Sequence, residues 1–368
     1  MPAAAARKTR MNDILPITFP VARRRLGALS VDTVTLAHGG GRAMKDLIDD
    51  VFVSAFDNPL LAPLDDQARI GLSDFAMHGN RLAFTTDSFV VDPLFFPGGD
   101  IGRLAVCGTV NDLAVAGATP LYLSCAAIIE EGCPIELLRR VARSMAEAAR
   151  EAGVRIVTGD TKVVPHGACD KLFLTTSGVG AIRRGIELDS TLVRAGDAVL
   201  INGMLGDHGA TIMAARGNLA LDGNIVSDCA PLSGLAQALL STSPATRFMR
   251  DATRGGVATV LNEVAQTGAV EIVIDEEALP IRDEVKRTCE ILDLDPLYLA
   301  NEGKLVAIVP AEDAEGALAT MRAHPLGCDA RAIGRVGTHA KSRVVMRTRF
   351  GGMRNVDMLA GEQLPRTC

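Results

Sequence analysis

The chain has no tryptophan and only two tyrosines, and aromatic residues make up 4% of its 368 positions. A base-stacking platform for single-stranded nucleic acid has little to build on. Positive charge is not in excess either: 38 Lys and Arg face 44 Asp and Glu, for a formal net charge of −6. That balance argues against a nucleic-acid partner. No apolar run is long enough to span a membrane. No apolar segment follows the first arginines, so a secretory leader is not expected. The eight cysteines, at 107, 125, 133, 169, 229, 289, 328 and 368, include no Cys-x-x-Cys pair. Neither a zinc ribbon nor a dithiol redox site is indicated, and free thiols in a reducing cytoplasm are expected. The Gly-x-x-x-x-Gly-Lys-Ser/Thr phosphate loop is missing as well.

What is present is a hydrophobic share of 48% in a chain long enough for two domains. Residues 1–30 hold Arg7, Lys8, Arg10 and Arg23 to Arg25 against Asp13 alone, and read as a disordered extension. Residues 31–182 read as a first α/β domain and 183–340 as a second. Residues 341–368 read as short strands followed by a mobile tail.

The most informative stretch runs from Arg81 to Pro120. A strand over Leu82–Thr86 ends on Asp87. A helix follows from Ile101, with Asp100 placed as its N-cap and Gly117 as its stop. Small and aliphatic residues cover every face of that helix from Leu104 to Ala118, yet it carries Asn111 and Asp112. A carboxylate in such surroundings is costly without a partner, and no Lys or Arg lies one turn away. A divalent cation would supply the partner, because Mg²⁺ takes carboxylate oxygens and is commonly shared with phosphates. The plain alternative is a solvent-facing Asn-Asp pair and a turn aspartate.

Other segments carry weaker signals. A strand over Thr33–Ala37 leads into His38-Gly39-Gly40-Gly41 and a helix from about Ala43 to Phe56. A glycine run feeding a helix N-terminus suits phosphate, or is simply a flexible turn. Asp160 and Lys162 fall in a loop after a strand over Val154–Val157. With Asp87 and Asp112, Asp160 would make three carboxylates able to share a metal, and Lys162 could reach a phosphate or acyl oxygen. In the second domain Asp251 is placed as an N-cap of a helix running to about Gln266, with a nucleotide-facing role possible on top of that. Asn301-Glu302-Gly303-Lys304 is a polar loop before a strand over Leu305–Val309. The tail has no periodic apolar face and lies outside both expected cores. It ends in Cys368, either a travelling thiol or a frayed terminus.

Taken in order, these motifs carry a resemblance. His38-Gly-Gly-Gly, Thr85-Thr86-Asp87-Ser88-Phe89, Gly108 to Ala114, Gly159 to Val164, Asp251-x-Thr253-Arg254-Gly255-Gly256, Asn301 to Lys304 and Pro365-Arg366-x-Cys368 together resemble the HypE family of [NiFe]-hydrogenase maturation factors. That family belongs with aminoimidazole ribonucleotide synthetase and selenophosphate synthetase. The resemblance runs from about Val31 to Cys368. It implies a two-domain α/β (α+β) fold of the aminoimidazole ribonucleotide synthetase type, dimeric through the first domain, with a flexible C-terminal tail. It also implies a reaction: a HypF-type carbamoyltransferase loads Cys368, ATP drives dehydration of the thiocarbamate to a thiocyanate, and a HypC–HypD complex receives the cyano group.

On that resemblance Asp87, Asp112 and Asp160 would hold Mg²⁺, with Asn111 as a further ligand or orienter. His38 to Gly41 and Asp251 would face ATP. Lys162 would stabilise charge on the thiocarbamate oxygen, Glu302 would act as general base, and Cys368 would carry the substrate. The rivals are another ATP-dependent enzyme of the superfamily, such as a selenophosphate synthetase or a small-molecule kinase, and a non-catalytic carrier. Neither rival enzyme needs a terminal cysteine, and no Cys precedes Cys107 where a selenophosphate synthetase would have one.

Overall fold

The structure, a computed structural model, describes residues 29–217, 225–338, 341–359, 361 and 366–368. Residues 1–28 of the expected extension, and Pro365, lie outside these.

The first domain is built from β1 (Arg81–Phe89), α1 (Ile101–Val115), β2 (Ala118–Glu130), α2 (Ile135–Ala152), β3 (Arg155–Val164) and β4 (Leu172–Ile182). Its four-stranded sheet has the order β1-β4-β2-β3. Only the β2–β3 pair is parallel, which is the pair joined through α2. Asp100 caps α1 as expected, its Oδ1 accepting the amides of Gly102 and Arg103 at 2.7 and 3.1 Å. Gly108 lets that helix lie close on the sheet, since a Cβ there would meet the Phe89 ring at 2.9 Å. α2 is amphipathic and stops at Gly153, whose φ of +73° suits glycine. Helices and sheet enclose a core that includes Phe89, Leu104, Leu123, Leu138 and Met145.

Three local expectations are corrected. Thr33–Ala37 is not a strand: Thr33 forms one isolated bridge to Pro134, and Leu36–Gly39 is a 3₁₀ turn. The helix expected over 43–56 is present, but its middle, Ile48–Val53, is wound as a π-helix. Asp87 and Asp160 lie inside β1 and β3 rather than beyond their ends. Both strands run on through polar residues because only one face of each is covered.

The second domain contains β5 (Ala198–Ile201), α3 (Asp207–Ala215), α4 (Ser233–Thr242), β6 (Phe248–Asp251), α5 (Gly256–Thr267), β7 (Glu271–Asp275), α6 (Asp283–Leu292), β8 (Leu305–Val309), α7 (Ala314–Ala323), β9 (Arg331–Val336), β10 (Arg343–Arg347) and β11 (Met353–Val356). These strands form a seven-stranded sheet in the order β11-β10-β7-β9-β5-β8-β6. β8 is buried at every position and reads as a continuous apolar run for that reason. The domains meet across α1, whose Ala114 and Val115 share an apolar cluster with Leu232 and Leu235.

Cys368 also differs from expectation. Placed by sequence outside both cores, it is half-buried against the first-domain core. Thr367 beside it is 3% exposed.

Candidate functional site

Three carboxylates converge where the domains meet. On β1, Asp87 shares a face with Thr85, and that face looks onto α1, where Thr85 Oγ1 donates to Asp112 Oδ2 at 2.7 Å. From the second domain comes Asp251, at the end of β6. It was expected to cap α5, but it is buried in a strand and Gly255 caps the helix instead. Burial pushes the Asp87 and Asp112 carboxyls up. The Ser88 amide and the Thr85 hydroxyl, respectively, oppose that shift. Asp251 is pushed to about 7, by burial first and then by Asp112. Arg250 and Arg254 offset part of this repulsion, yet none of the three forms an ion pair among the described residues.

Such a cluster is short of positive charge. A hard cation fits that deficit, since Mg²⁺ is commonly held by one or two carboxylates with substrate phosphates completing its shell. Among the described residues no group of three or more His, Cys, Asp or Glu forms a ready-made metal cage.

Asn111 was expected beside that cation. Its amide does something else: Nδ2 donates to Ala230 O and Glu302 O at 3.1 and 3.3 Å, and Oδ1 accepts the Leu232 amide at 2.7 Å. It clamps two second-domain loops onto α1. One of those loops carries Glu302, which is 2% exposed and whose Oε1 has no hydrogen-bond partner. Burial pushes its carboxyl well up, with Asp228 and Asp251 adding to the shift. Asp228 holds the loop by accepting the Glu302 amide at 3.0 Å and the Gly303 amide at 3.3 Å. It also pairs with Lys304 Nζ at 2.8 Å. Burial opposes the Asp228 charge, but Lys304 and the Glu302 amide outweigh it and hold the pKa down.

The other expected residues stand apart from this cluster. Asp160 pairs across the sheet with Ala126, Ala126 with Thr175, and Thr175 with Ser88. That row lies on the face away from α1, so Asp160 and Asp87 point to opposite sides of the sheet. They are also three strand spacings apart, roughly 14 Å. The expectation that Asp87, Asp112 and Asp160 share one metal within a chain is therefore corrected. Lys162 lies on the same outer face, its side chain 66% exposed and 2.9 Å from Asp160. The sheet separates it from Glu302.

His38 is buried and serves its own turn, with Nδ1 3.0 Å from both the Thr35 amide and the Thr35 hydroxyl. Gly41, at φ +59°, opens the following helix and lines a cleft of about 610 Å³. Lys45, Phe52, Thr158 and Asp160 line it too. That volume suits a nucleotide-sized ligand. The cleft lies at the β3 edge, and the carboxylates lie at the β1 edge.

The tail residues dock along residues 90–92. Val90 N donates to Cys368 O, and Asp92 N to Arg366 O, each at 3.2 Å. His208 Nε2 lies 2.7 Å from Thr367 O. Sequence reasoning missed His208, Asp228 and the pairing role of Lys304. Asp228 lies in a stretch without regular structure, where no spacing marks it.

Comparison with known proteins places these features in context. The N-terminal and C-terminal domain models of AIR synthase related proteins match residues 64–182 and 194–347. The carbamoyl dehydratase HypE of Rhodobacter capsulatus is 59% identical over 342 residues, covering 93% of this chain and all of that protein. The crystal structure of the hydrogenase maturation protein HypE in complex with ATP superposes with a TM-score of 0.86 at 50% identity, covering 91% of this chain and 100% of that one. A chain of the HypE–HypF complex superposes at 0.74 with 46% identity, covering 87% of this chain and 100% of its own.

Proposed function

The chain belongs to the AIR synthase related family and, within it, to the HypE carbamoyl dehydratases of hydrogenase maturation, and from that premise we propose that it uses ATP to dehydrate a carbamoyl group on its own Cys368. The observation that carries this reading is the backbone of the Cys368 tail held from both domains, by Val90 and Asp92 of the first and His208 and Arg216 of the second, in a molecule where Glu302 Oε1 is buried without a hydrogen-bond partner.

The chemistry requires an activated oxygen, because hydroxide is too poor a leaving group. The thiocarbamate oxygen attacks the γ-phosphorus of ATP, the bond to the ADP oxygen breaks, and one N–H proton leaves the nitrogen. The C–O bond of the resulting phosphate ester then breaks as the second N–H proton leaves. The products are S-cyano-Cys368, ADP, phosphate and one net proton. Glu302 would take those protons as general base; burial pushes its carboxyl well above the ordinary range, which makes it a stronger base once ionised. Asp87 and Asp112, with Asp251 beside them, would hold Mg²⁺. When bound, that ion supplies charge neutralisation at the transferring phosphoryl group.

Loading and unloading fall to partners. A HypF-type carbamoyltransferase would supply the carbamoyl group, and a HypC–HypD complex would take the cyano group. A second copy of this chain would cover the outer face of the first-domain sheet, where Leu82 and Phe84 are 60% and 72% exposed. Asp160 and Lys162 lie on that face, so they can join a carboxylate site only from another chain.

The test is the mass of the C-terminal peptide. Protein carbamoylated on Cys368 and given Mg-ATP should lose the mass of one water from that peptide, with one ADP formed per tail. ADP formed without any change in that peptide would refute the reading. No helix among the described residues is long and apolar enough to cross a membrane.

A further inference from the structure

His208 is fully buried at the start of α3, just after Gly206 turns the chain at φ +82°. Its ring edge packs on Phe96, with centroids 5.5 Å apart. A carbonyl can only accept, so Nε2 carries the proton and donates to Thr367 O at 2.7 Å. Nδ1 must then accept, and Ser227 Oγ is its donor at 2.8 Å. Ser227 Oγ in turn accepts the Cys229 amide at 3.2 Å. Every polar atom of this buried set has a partner, which is the condition under which such networks fix one geometry. The neutral form this requires agrees with burial pushing the His208 pKa down.

The same short segment reaches the base loop. Ser227 orients His208, Asp228 next to it holds the amides of Glu302 and Gly303, and the Ser227 amide donates to Pro97 O at 2.9 Å. Residues 227–229 therefore tie together the anchor of the tail, the loop of Glu302 and the first domain. At the far end of α3, Arg216 grips the tail again, donating to Arg366 O at 2.7 Å and to Asp92 O at 2.8 Å. The Arg366 side chain adds two contacts of its own, donating from Nη1 to Asp170 Oδ2 and from Nε to Val90 O, each at 2.9 Å.

We propose that His208 is a positioning residue for the dehydration: it fixes the carbonyl that precedes Cys368 and, through Ser227 and Asp228, registers the loaded thiol against the Glu302 loop. This rests on the dehydratase reading above. His208 touches neither the carbamoyl group nor ATP in this role, and works by removing freedom from the tail.

The test uses the full-length protein and two readouts. The first is alkylation of unloaded Cys368 by iodoacetamide, followed in the C-terminal peptide. The second is dehydration of a preloaded tail by Mg-ATP. His208→Ala should speed alkylation about five- to tenfold, the effect of losing one buried hydrogen bond. It should slow dehydration about 100-fold, the scale of a small misplacement of reacting groups, with loading of the tail unchanged. His208→Gln keeps an N–H donor and should recover most of both losses, which a purely structural role would not predict. Should the alanine variant fail to fold, Ser227→Ala replaces it. That variant leaves the ring in place but removes what orients it, and should shift both readouts the same way.

Wild-type alkylation and dehydration in a folded His208→Ala protein, or in Ser227→Ala where it stands in, overturn the proposal. So does a His208→Gln protein no better than alanine. A wild-type protein that never dehydrates its loaded tail sinks the dehydratase reading instead, while the alkylation arm still reports whether His208 holds the tail.

Discussion

Glu302→Gln should accumulate carbamoylated Cys368 and fail to convert it when Mg-ATP is added. The substitution keeps the size of the side chain but removes the basic oxygen. Loading should be untouched, because it needs only that the tail reach its donor enzyme. A positioned general base contributes roughly 10²–10⁴-fold, and that is the expected loss in the dehydration rate. The pH profile adds a second check. Burial raises the Glu302 pKa, so the wild-type rate should climb as pH rises through that value and the carboxyl deprotonates. The residual rate of the variant should lack that rise. Dehydration at the wild-type rate in Glu302→Gln would reduce residues 301–304 to a structural loop and leave the base to be found elsewhere.

Asp251→Asn should stabilise the metal-free protein at high pH and do nothing for it at low pH. A carboxyl raised from 3.8 to about 7 on folding binds its proton more tightly in the folded state. Stability is therefore lost as pH rises from the unfolded value through about 7, and the loss is complete above that. A shift of that size corresponds to about 4 kcal/mol at most. Asparagine has no charge to bury, so its melting temperature should exceed the wild-type value by several degrees at pH 8. The two proteins should converge near pH 3. With Mg-ATP present the order should reverse, since the cation then lacks a neighbouring carboxylate. A melting difference independent of pH would mean that Asp251 is not buried as an unpaired acid.

The sequence was most legible where local chemistry and burial agree. Asp100 capping α1, the amphipathic face of α2 and the apolar run of β8 all follow from spacing and composition, and the structure repeats them. Asp112 was identifiable because a charge on an otherwise apolar helix demands a partner. What the sequence hid was which face a strand residue occupies. Asp87 and Asp160 look alike as aspartates near strand ends, yet the pleat sends them to opposite sides of one sheet. Asp251 reads as a helix cap because a turn and a helix follow it. Tertiary pairing of β6 with β8 instead carries it into the sheet and toward Asp112. His208 and Asp228 act through contacts 159 and 74 residues away in the chain, and no local pattern could announce them. The tail looked solvent-bound because three anchored residues have no periodicity, and most of the hydrogen bonds that hold them run to backbone carbonyls that every sequence shares.

In the proposed mechanism ATP phosphorylates the carbamoyl oxygen on Cys368 before that oxygen leaves. Loading the tail with a carbamoyl group labelled with ¹⁸O at its carbonyl tests this directly. After addition of Mg-ATP, the label should appear in inorganic phosphate, one atom for each S-cyano tail formed. Unlabelled phosphate, with the ¹⁸O released to water, would show that ATP is hydrolysed beside the carbamoyl group and not through it, and would contradict the mechanism.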